Sequence, residues 1–474
     1  MSKISAMMDI GKRSMMNSQT ALQTVSHNIA NKSTEGFSRQ RVEHQTAPPV
    51  GSGNLRYGMG ARASNITRTN NPYLEKQILS EGSDLGFAES RAGALARVEE
   101  VYNEQLNKGL NKYMGDFFNA FRELSATPES LATRTLVKEA SINLANDFGR
   151  VSKQLKDVQG DLDGQVRAHV QTINAITEEI ASLNEKVQSV EISGAAANDE
   201  RDRRDLLLKN LAEKIQIKWA EGDNGAVMVT AGNSMILVSG HERATLSAQA
   251  LSDPANRKGE QLKVFMRQKE DLPPFDATAQ IKGGSLGAVL EVRDQVINGL
   301  LEDVDEMAFE FTNKLNSVHQ QGFNRFNEQG GEFFTLESGK FDAAARIKLH
   351  ETIRADVGRI ATAAAPNSPG DNRVANVIAN LQSQNIMRNE SSTIDQFYNG
   401  IVGKVGVASN QAGHRVDSQK GIVTQLNKLR ESVSGVSLDE ETAKMIEFQK
   451  TFDASARMIR AADEMMDTVL NLKR

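Results

Sequence analysis

The residues that could carry chemistry in this 474-residue chain are seven histidines, one cluster of alternating acids and arginines, and two glycine-rich loops. His27, His44, His169, His241, His319, His350 and His414 include no HxxxH pair, so the spacing of a zinc site is missing. His169 falls on an apolar helical stripe and reads as a core histidine rather than a ligand. The run Asn198-Asp199-Glu200-Arg201-Asp202-Arg203-Arg204-Asp205 holds carboxylates that could do general acid–base work if an apolar pocket tuned one of them. Its interleaved arginines point instead to a helix start, with acids near the N-terminus and ion pairs within the helix. Gly51-Ser52-Gly53 and Gly58-Met59-Gly60 fit neither GxxxxGK[ST] nor a GxGxxG that opens a helix, and read as loop glycines. There is no Cys, which removes thiolate catalysis, disulfides and Cys-based metal sites together. The expectation is a non-enzymatic protein with no cofactor, no metal and no catalytic residue. A secreted enzyme active in the 215–282 region, with His241 its nearest histidine, is the remote alternative.

The elements that would position such residues are mostly long helices. The prolines stand at 48, 49, 72, 128, 254, 273, 274, 366 and 369, leaving 129–253 and 370–474 free of them. Proline in a helix interior costs about 3 kcal/mol, so these tracts permit long helices. Residues 1–31 carry the stripe Ile4, Met8, Gly11, Met15, Ser18, Leu22, Val25, Ile29, whose alternating steps of four and three are the coiled-coil period. Thr34-Glu35-Gly36-Phe37 then reads as a turn, and the stretch to about residue 72 as extended arms and loops. A second helical region covers 73–125. Thr127-Pro128 predicts the N-cap and first position of a third helix running to about 192. Its seam includes Leu155, Val158, Leu162, Val166, His169, Ile173, Ile176 and Ile180, with a stutter at Val158–Leu162–Val166 near Gly160 and Gly164.

From 215 the period changes to alternation. Ile215, Ile217 and Trp219, then Ala226–Val229, Met235–Val238 and Leu262, Val264, Met266 predict a small β domain over 215–282. Helix resumes after Gly283-Gly284-Ser285, 322–370 is mixed, and helix returns from about 371. Ser437-Leu438-Asp439-Glu440 predicts a capping box for a last helix with the seam Leu438, Glu441, Met445, Phe448, Phe452, Ser455, Ile459, Ala462, Met466, Val469. The fold class is therefore mainly α with one inserted β domain, long coiled-coil-like helices and paired terminal helices. The expected domains are a terminal-helix assembly domain (1–60 with 430–474), a long-helix rod domain (61–214 with 283–429, including the excursion 322–370) and the β-rich outer domain (215–282).

Composition fits thin helices. Hydrophobic residues make up 39% and aromatics only 5%, so Leu, Ile, Val, Met and Ala must fill narrow seams. A net charge of −5 without a basic cluster argues against nucleic acid. No stretch approaches the roughly 18 apolar residues of a membrane span, and the N-terminus lacks a secretory signal pattern.

Two end signatures are specific. Ala21-Leu22, Asn28-Ile29-Ala30-Asn31, Thr34, Gly36-Phe37 and Arg39-Gln40 resemble the N-terminal signature of flagellar rod, hook and hook-associated proteins. Gly435-Val436-Ser437-Leu438-Asp439-Glu440-Glu441, with Phe448-Gln449, Phe452, Ala454-Ser455-Ala456 and Ala461-Ala462, resembles the matching C-terminal signature in the form of the first hook-associated protein family. Asn198-Asp199, Arg203-Arg204-Asp205-Leu206-Leu207 and Gly283–Gly287 are similar to that family's internal motifs, whereas 335–365 is shorter than the second β domain of better-known relatives.

The resemblance implies a structural subunit of the hook–filament junction, extracellular in the bacterial flagellum and exported by the flagellar type III route without a cleaved signal peptide. Its implied partners are copies of itself in a helical ring, hook protein, a second junction protein and through it the filament, and a cytoplasmic export chaperone at the C-terminal helix. Nucleic acid and membrane are not among them. The assembly interface expected from the seams and signatures comprises Ile4, Met8, Met15, Leu22, Val25, Ile29, Asn28, Asn31, Gly36, Phe37, Leu438, Met445, Phe448, Phe452, Ile459, Met466 and Val469. Another axial protein (hook, distal rod or flagellin-like) is the alternative within the same class.

Overall fold

The computed structural model describes residues 2–52, 55–103, 109–232, 234–252, 260–269, 271–336, 339–388 and 390–471. Met1 and Gly53 lie outside the described residues. The chain opens with α1 (Ser2–Ala30), followed by β1 (Gln40–Thr46), β2 (Val50–Ser52), β3 (Leu55–Tyr57) and β4 (Ala61–Arg68). Three helices follow, α2 (Pro72–Val101), α3 (Leu110–Ala126) and the 62-residue α4 (Leu131–Ile192), then α5 (Asn198–Lys214).

The inserted β region holds β5 (Ile217–Glu221), β6 (Val227–Ala231), β7 (Met235–Ser239), β8 (Glu242–Arg243), β9 (Thr245–Ser252), β10 (Glu260–Arg267) and β11 (Phe275–Asp276). Helix resumes with α6 (Gly284–Glu291) and, after a π-helical turn at Val292–Ile297, α7 (Asn298–Gln320). Short elements come next: β12 (Phe334–Thr335), α8 (Ala343–Arg346), β13 (Lys348–Leu349) and α9 (Glu351–Ala355). The chain ends with α10 (Arg373–Asn380), the 41-residue α11 (Ile394–Ser434) and α12 (Leu438–Asn471). The fold is mainly α with an inserted β region, as the change of period requires.

Capping chemistry sets the helix boundaries, and several differ from the sequence reading. Thr127 closes α3 instead of opening α4. Ser130 is the N-cap, its hydroxyl accepting from the Thr133 N–H. The region 73–125 is two helices, the first opened by Asn71 with Pro72 at its start. The helix expected from 371 stops at Asn380, and α11 begins afresh with a full capping box between Thr393 and Gln396. α4 runs unbroken through Gly160 and Gly164, both of which face open space. Beyond Leu162 the buried stripe of α4 runs through Val166, Val170, Ile173 and Thr177. It lies one residue along from the predicted His169 and Ile176, because a further step of four follows the stutter. His169 is thus half-buried, and the fully buried core histidine is His319.

The extended arms after α1 are paired strands. β1 and β4 form an antiparallel ladder from Gln40↔Arg68 to Thr46↔Ala61, with an irregularity at Glu43/His44, and β2 pairs β3 beyond it. Alternation was hard to read there because one face of the hairpin is solvated and most of its residues are exposed. The central strands make a four-stranded sheet in order β5-β6-β7-β8 and a three-stranded sheet β11-β10-β9.

The main apolar core runs through the rod helices and these sheets. At one end Phe117, Phe118, Phe121, Phe311, Phe333 and Phe334 cluster with ring centroids 5.0–6.2 Å apart. His319 joins them edge-on to Phe333, donating from Nδ1 to the Gly331 carbonyl (2.7 Å) and accepting the Ala361 N–H at Nε2 (2.9 Å). Burial holds this imidazole neutral, with its pKa pushed down to about 4. Arg134 is buried beside it and binds the carbonyls of Pro128 and Ile360 and the Thr362 hydroxyl, which pins the 322–370 excursion to the start of α4.

Candidate assembly interface

α1 and α12 lie side by side and antiparallel. Ser14 Oγ is 2.7 Å from Ser455 Oγ, and Asn28 Nδ2 donates to Glu441 Oε2 at 2.9 Å, so ascending numbers on one helix meet descending numbers on the other. The buried line on α1 is Gly11, Ser18, Ala21, Thr24, Val25 and Asn28. Small residues let the helices approach closely. A Cβ added at Gly11 would stand 2.7 Å from Ile459 Cγ1. The facing line on α12 is Glu441, Ser455 and Ala462.

This changes the meaning of the predicted stripe. Of the residues expected at the interface, Val25 and Asn28 are buried between the paired helices. Ile4, Met8, Met15, Leu22 and Ile29 on α1, and Met445, Phe448, Phe452, Ile459 and Met466 on α12, are only half-buried, while Leu438 and Val469 are exposed. Apart from Val25 and Ile459, which packs over Gly11, the large apolar side chains flank a seam of small ones. The terminal hairpin therefore presents apolar ridges that it does not itself cover.

The N-terminal signature is a hydrogen-bonding device. Asn28 Oδ1 accepts the Gln40 N–H (2.9 Å), and its Nδ2 donates to the Gln40 carbonyl (2.9 Å) as well as to Glu441. Asn17, three turns earlier, grips β4 in the same way, accepting from the Ala63 N–H and donating to the Ala61 carbonyl. Asn31 instead closes the helix end, donating to the His27 carbonyl (3.1 Å) and accepting from the Thr34 hydroxyl (3.1 Å). Gly36 takes φ 82° with its α-carbon against Leu206, where a Cβ would be 3.1 Å from the Leu206 Cβ, and Phe37 meets His27 edge-on at 5.5 Å.

Glu441 is 1% exposed and, like Ser455 and Ala462, stands on the predicted α12 seam but not among the residues expected at the interface. Arg39 Nε lies 2.9 Å from its Oε1, and Lys444 Nζ is 3.4 Å away. A carboxylate on an otherwise apolar seam was the available signal, since a buried charge must find partners. The predicted capping box is only half made. Ser437 Oγ is 3.5 Å from the Glu440 N–H, and the Glu440 carboxylate turns to Arg39 at 3.0 Å.

The Asn198–Asp205 cluster sits where the terminal hairpin meets the rod. Asp202 accepts the Ser38 N–H (2.9 Å) and pairs with Arg68 (2.7 Å), which also reaches Asp205 (2.8 Å). Gln40 Nε2 donates to Asp199 (2.8 Å), and Asn198 Nδ2 to the Ile66 carbonyl (2.8 Å). Close by, Glu75 is held between Lys209 (2.7 Å) and Arg430 (2.8 Å). Burial alone would raise the Glu75 carboxyl, but the two cations outweigh it and hold it below the usual range. Burial raises the Asp202 pKa in spite of Arg68 and the Ser38 N–H. Asp199, Asp202 and Asp205 are thus spent on structural partners, as a helix start with no catalytic role requires, but those partners lie on other elements and not along α5 as the sequence predicts. Among the described residues no group of His, Asp and Glu is arranged to hold a metal ion.

Comparison with known proteins fits this architecture. A family model described as the flagellar hook-associated protein FlgK helical domain matches residues 95–334. The chain belongs to the flagellar hook-associated protein FlgK family. A second model, the flagellar basal body rod FlgEFG protein C-terminal region, matches 431–472, which covers α12 and its approach. The helical-domain match is what separates the FlgK family from the wider group sharing that C-terminal helix.

Flagellar hook-associated protein 1 of Bacillus subtilis (strain 168) is 28% identical over 98% of this chain and 97% of its own length. The protein of that name in Escherichia coli (strain K12) is 22% identical over 96% and 97%. The solved structure of the flagellar hook junction protein FlgK from Burkholderia pseudomallei shares the fold, with a TM-score of 0.66 and 14% identity over 76% of this chain and all of that one. The FlgK family is structural, and its members are parts of the bacterial flagellum.

Proposed function

We propose that the chain is a non-catalytic adaptor that forms the ring of subunits joining hook to filament. The observation that carries this reading is the terminal hairpin, a tightly closed small-residue seam flanked by large, half-covered apolar side chains. Neighbouring copies would cover these ridges by head-to-tail contacts, the kind of contact that builds a helical ring. Hook protein meets one side of the ring. A second junction protein, and through it the filament, meets the other.

The same ridges on α12 need protection before assembly. That favours a cytoplasmic chaperone over Phe448, Phe452, Ile459 and Met466, and export by the flagellar type III route to the extracellular flagellum. The proposed division of labour keeps 1–60 with 430–474 as the assembly domain, 61–214 with 283–429 as the rod, and 215–282 as an outward domain. None of the described helices is long and apolar enough to cross a membrane. Deletion of the gene tests the reading. Cells should carry hooks without filaments and shed flagellin into the medium, and filaments of normal number on the deletion strain would refute it.

A further inference from the structure

Asn-Gly pairs stand in the chain at 224–225, 298–299 and 399–400. An asparagine before glycine can react with its own backbone. The glycine nitrogen loses its proton to solvent base and attacks the side-chain amide carbon, ammonia leaves, and a cyclic imide remains. Water then opens that ring at one carbonyl or the other, giving aspartate or isoaspartate. Glycine favours the attack because no side chain shields its nitrogen. By sequence alone the pairs are equivalent.

The structure separates them. Asn298 opens α7, and Asn399 lies in the second turn of α11. In a helix the side chain points back towards the N-terminus, away from the following nitrogen, whose N–H is held by the helix. Asn298 shows this directly: its Nδ2 donates to the Asp294 carbonyl (2.9 Å), and its Oδ1 accepts from Gln159 Nε2 (3.0 Å). Asn224 is exposed in the loop that joins β5 to β6, and its Oδ1 reaches forward to accept the Ala226 N–H (3.3 Å). The side-chain carbonyl is thereby held over the stretch of backbone that contains the Gly225 nitrogen. The Gly225 N–H donates to the carbonyl of Gly222 (3.0 Å), an exposed residue whose place water can take. The fold also requires the reactive neighbour. Gly225 has φ 76°, and a Cβ there would stand 2.6 Å from Glu191 Oε2.

We propose that Asn224 is a site of spontaneous deamidation, and that isoaspartate formed there frees the β5–β6 turn from the rod helices. The turn is anchored by the Gly225 carbonyl, which accepts from Arg204 Nη1 on α5 (2.7 Å). Arg204 is 1% exposed and also donates to Asn184 Oδ1 on α4 (3.1 Å), which accepts the Val227 N–H as well (3.0 Å). Isoaspartate adds a carbon to the main chain just before Gly225. That draws the Gly225 carbonyl off Arg204 and leaves a buried guanidinium short of an acceptor. This goes beyond the junction reading and does not depend on it.

The test incubates the purified full chain in mildly alkaline buffer and maps deamidation by peptide mass spectrometry. Synthetic peptides spanning the same Asn-Gly pairs are incubated alongside. Relative to its own peptide, Asn224 should deamidate at least about tenfold faster in the folded chain than Asn298 or Asn399, the ratio that a barrier difference of about 1.4 kcal/mol produces. The deamidated chain carries an added negative charge and separates from the parent on an anion-exchange column. Its isoaspartate fraction should show faster hydrogen exchange over β5 and β6 with α11 unchanged, and Asn224→Gln should keep both its charge and its exchange through the same incubation. The proposal is overturned if Asn224 keeps its amide in the folded chain, or if Asn298 or Asn399 matches its relative rate. It is also overturned if the isoaspartate-bearing chain exchanges over β5 and β6 as the parent does, or if Asn224→Gln quickens with it.

Discussion

Asn28 and Glu441, 413 residues apart, share a 2.9 Å hydrogen bond inside the terminal hairpin, and each is 1% exposed. The bond ties the start of α12 to the end of α1. Through the same amide it also ties both to Gln40 on β1. A single side chain thereby closes a three-element junction.

Replacing Asn28 with Ala should therefore cost more than a surface change. It strands the Gln40 N–H and carbonyl and removes a donor from a buried carboxylate, a loss of about 2–4 kcal/mol confined to the terminal hairpin. Hydrogen exchange should quicken over α1 and α12 and stay unchanged over α4. Equal protection of α1 and α12 in mutant and parent would show that the bond contributes little.

Gly11 is the point of closest approach between the paired helices. Gly11→Val must push Ile459 aside or part the helices, at about 1–3 kcal/mol by the usual range for overpacking. Adding Ile459→Ala in the same chain should recover most of the loss, because the space Gly11 leaves is filled by that side chain. A thermal melt of the two variants and the parent is the measurement, and no recovery in the double variant would count against a direct contact.

Phe452 lies on a flank of the pair and not in its seam. Phe452→Asp should leave helix content and Trp219 fluorescence as they are while abolishing filament attachment. Swimming in soft agar reads the second effect. Normal motility with this variant would remove the flanks from the assembly surface.

His319 predicts a pH effect in the rod. Its pKa is about 4 when folded against the ordinary 6.5, so between those values the unfolded chain binds a proton that the native chain does not. Stability from this group is complete above pH 6.5 and falls as the pH drops towards 4, by up to about 3 kcal/mol. Denaturant titrations at pH 7 and pH 5 should show that fall in the parent and a smaller one in His319→Gln. Identical falls in the two proteins would mean that other groups set the acid limit.

The sequence by itself was enough for those features that depend on local period and local chemistry. The end of α4 at Ile192, the shift to alternation after Ile215 and the long helix at each terminus follow from which residues repeat every 3.6 or every 2 positions. The signatures around Asn28 and Glu441 were also visible in sequence, which is why the resemblance to flagellar axial proteins could be seen before any coordinates. The β1–β4 hairpin was not, because a mostly solvated ladder has no strong apolar alternation to declare it.

Tertiary structure alone decided which residues of the α1 stripe turn fully inward. The period places Met8, Met15 and Leu22 in one stripe with Gly11, Ser18 and Val25. The close pairing with α12 buries Gly11, Ser18 and Val25, with Ala21 from beside the stripe, because only a small side chain allows the approach at Gly11. It also decided the work of Asn198–Asp205. Charges can be read from a sequence, but their partners Ser38, Gln40 and Arg68 lie more than a hundred residues away and are brought together only by the fold.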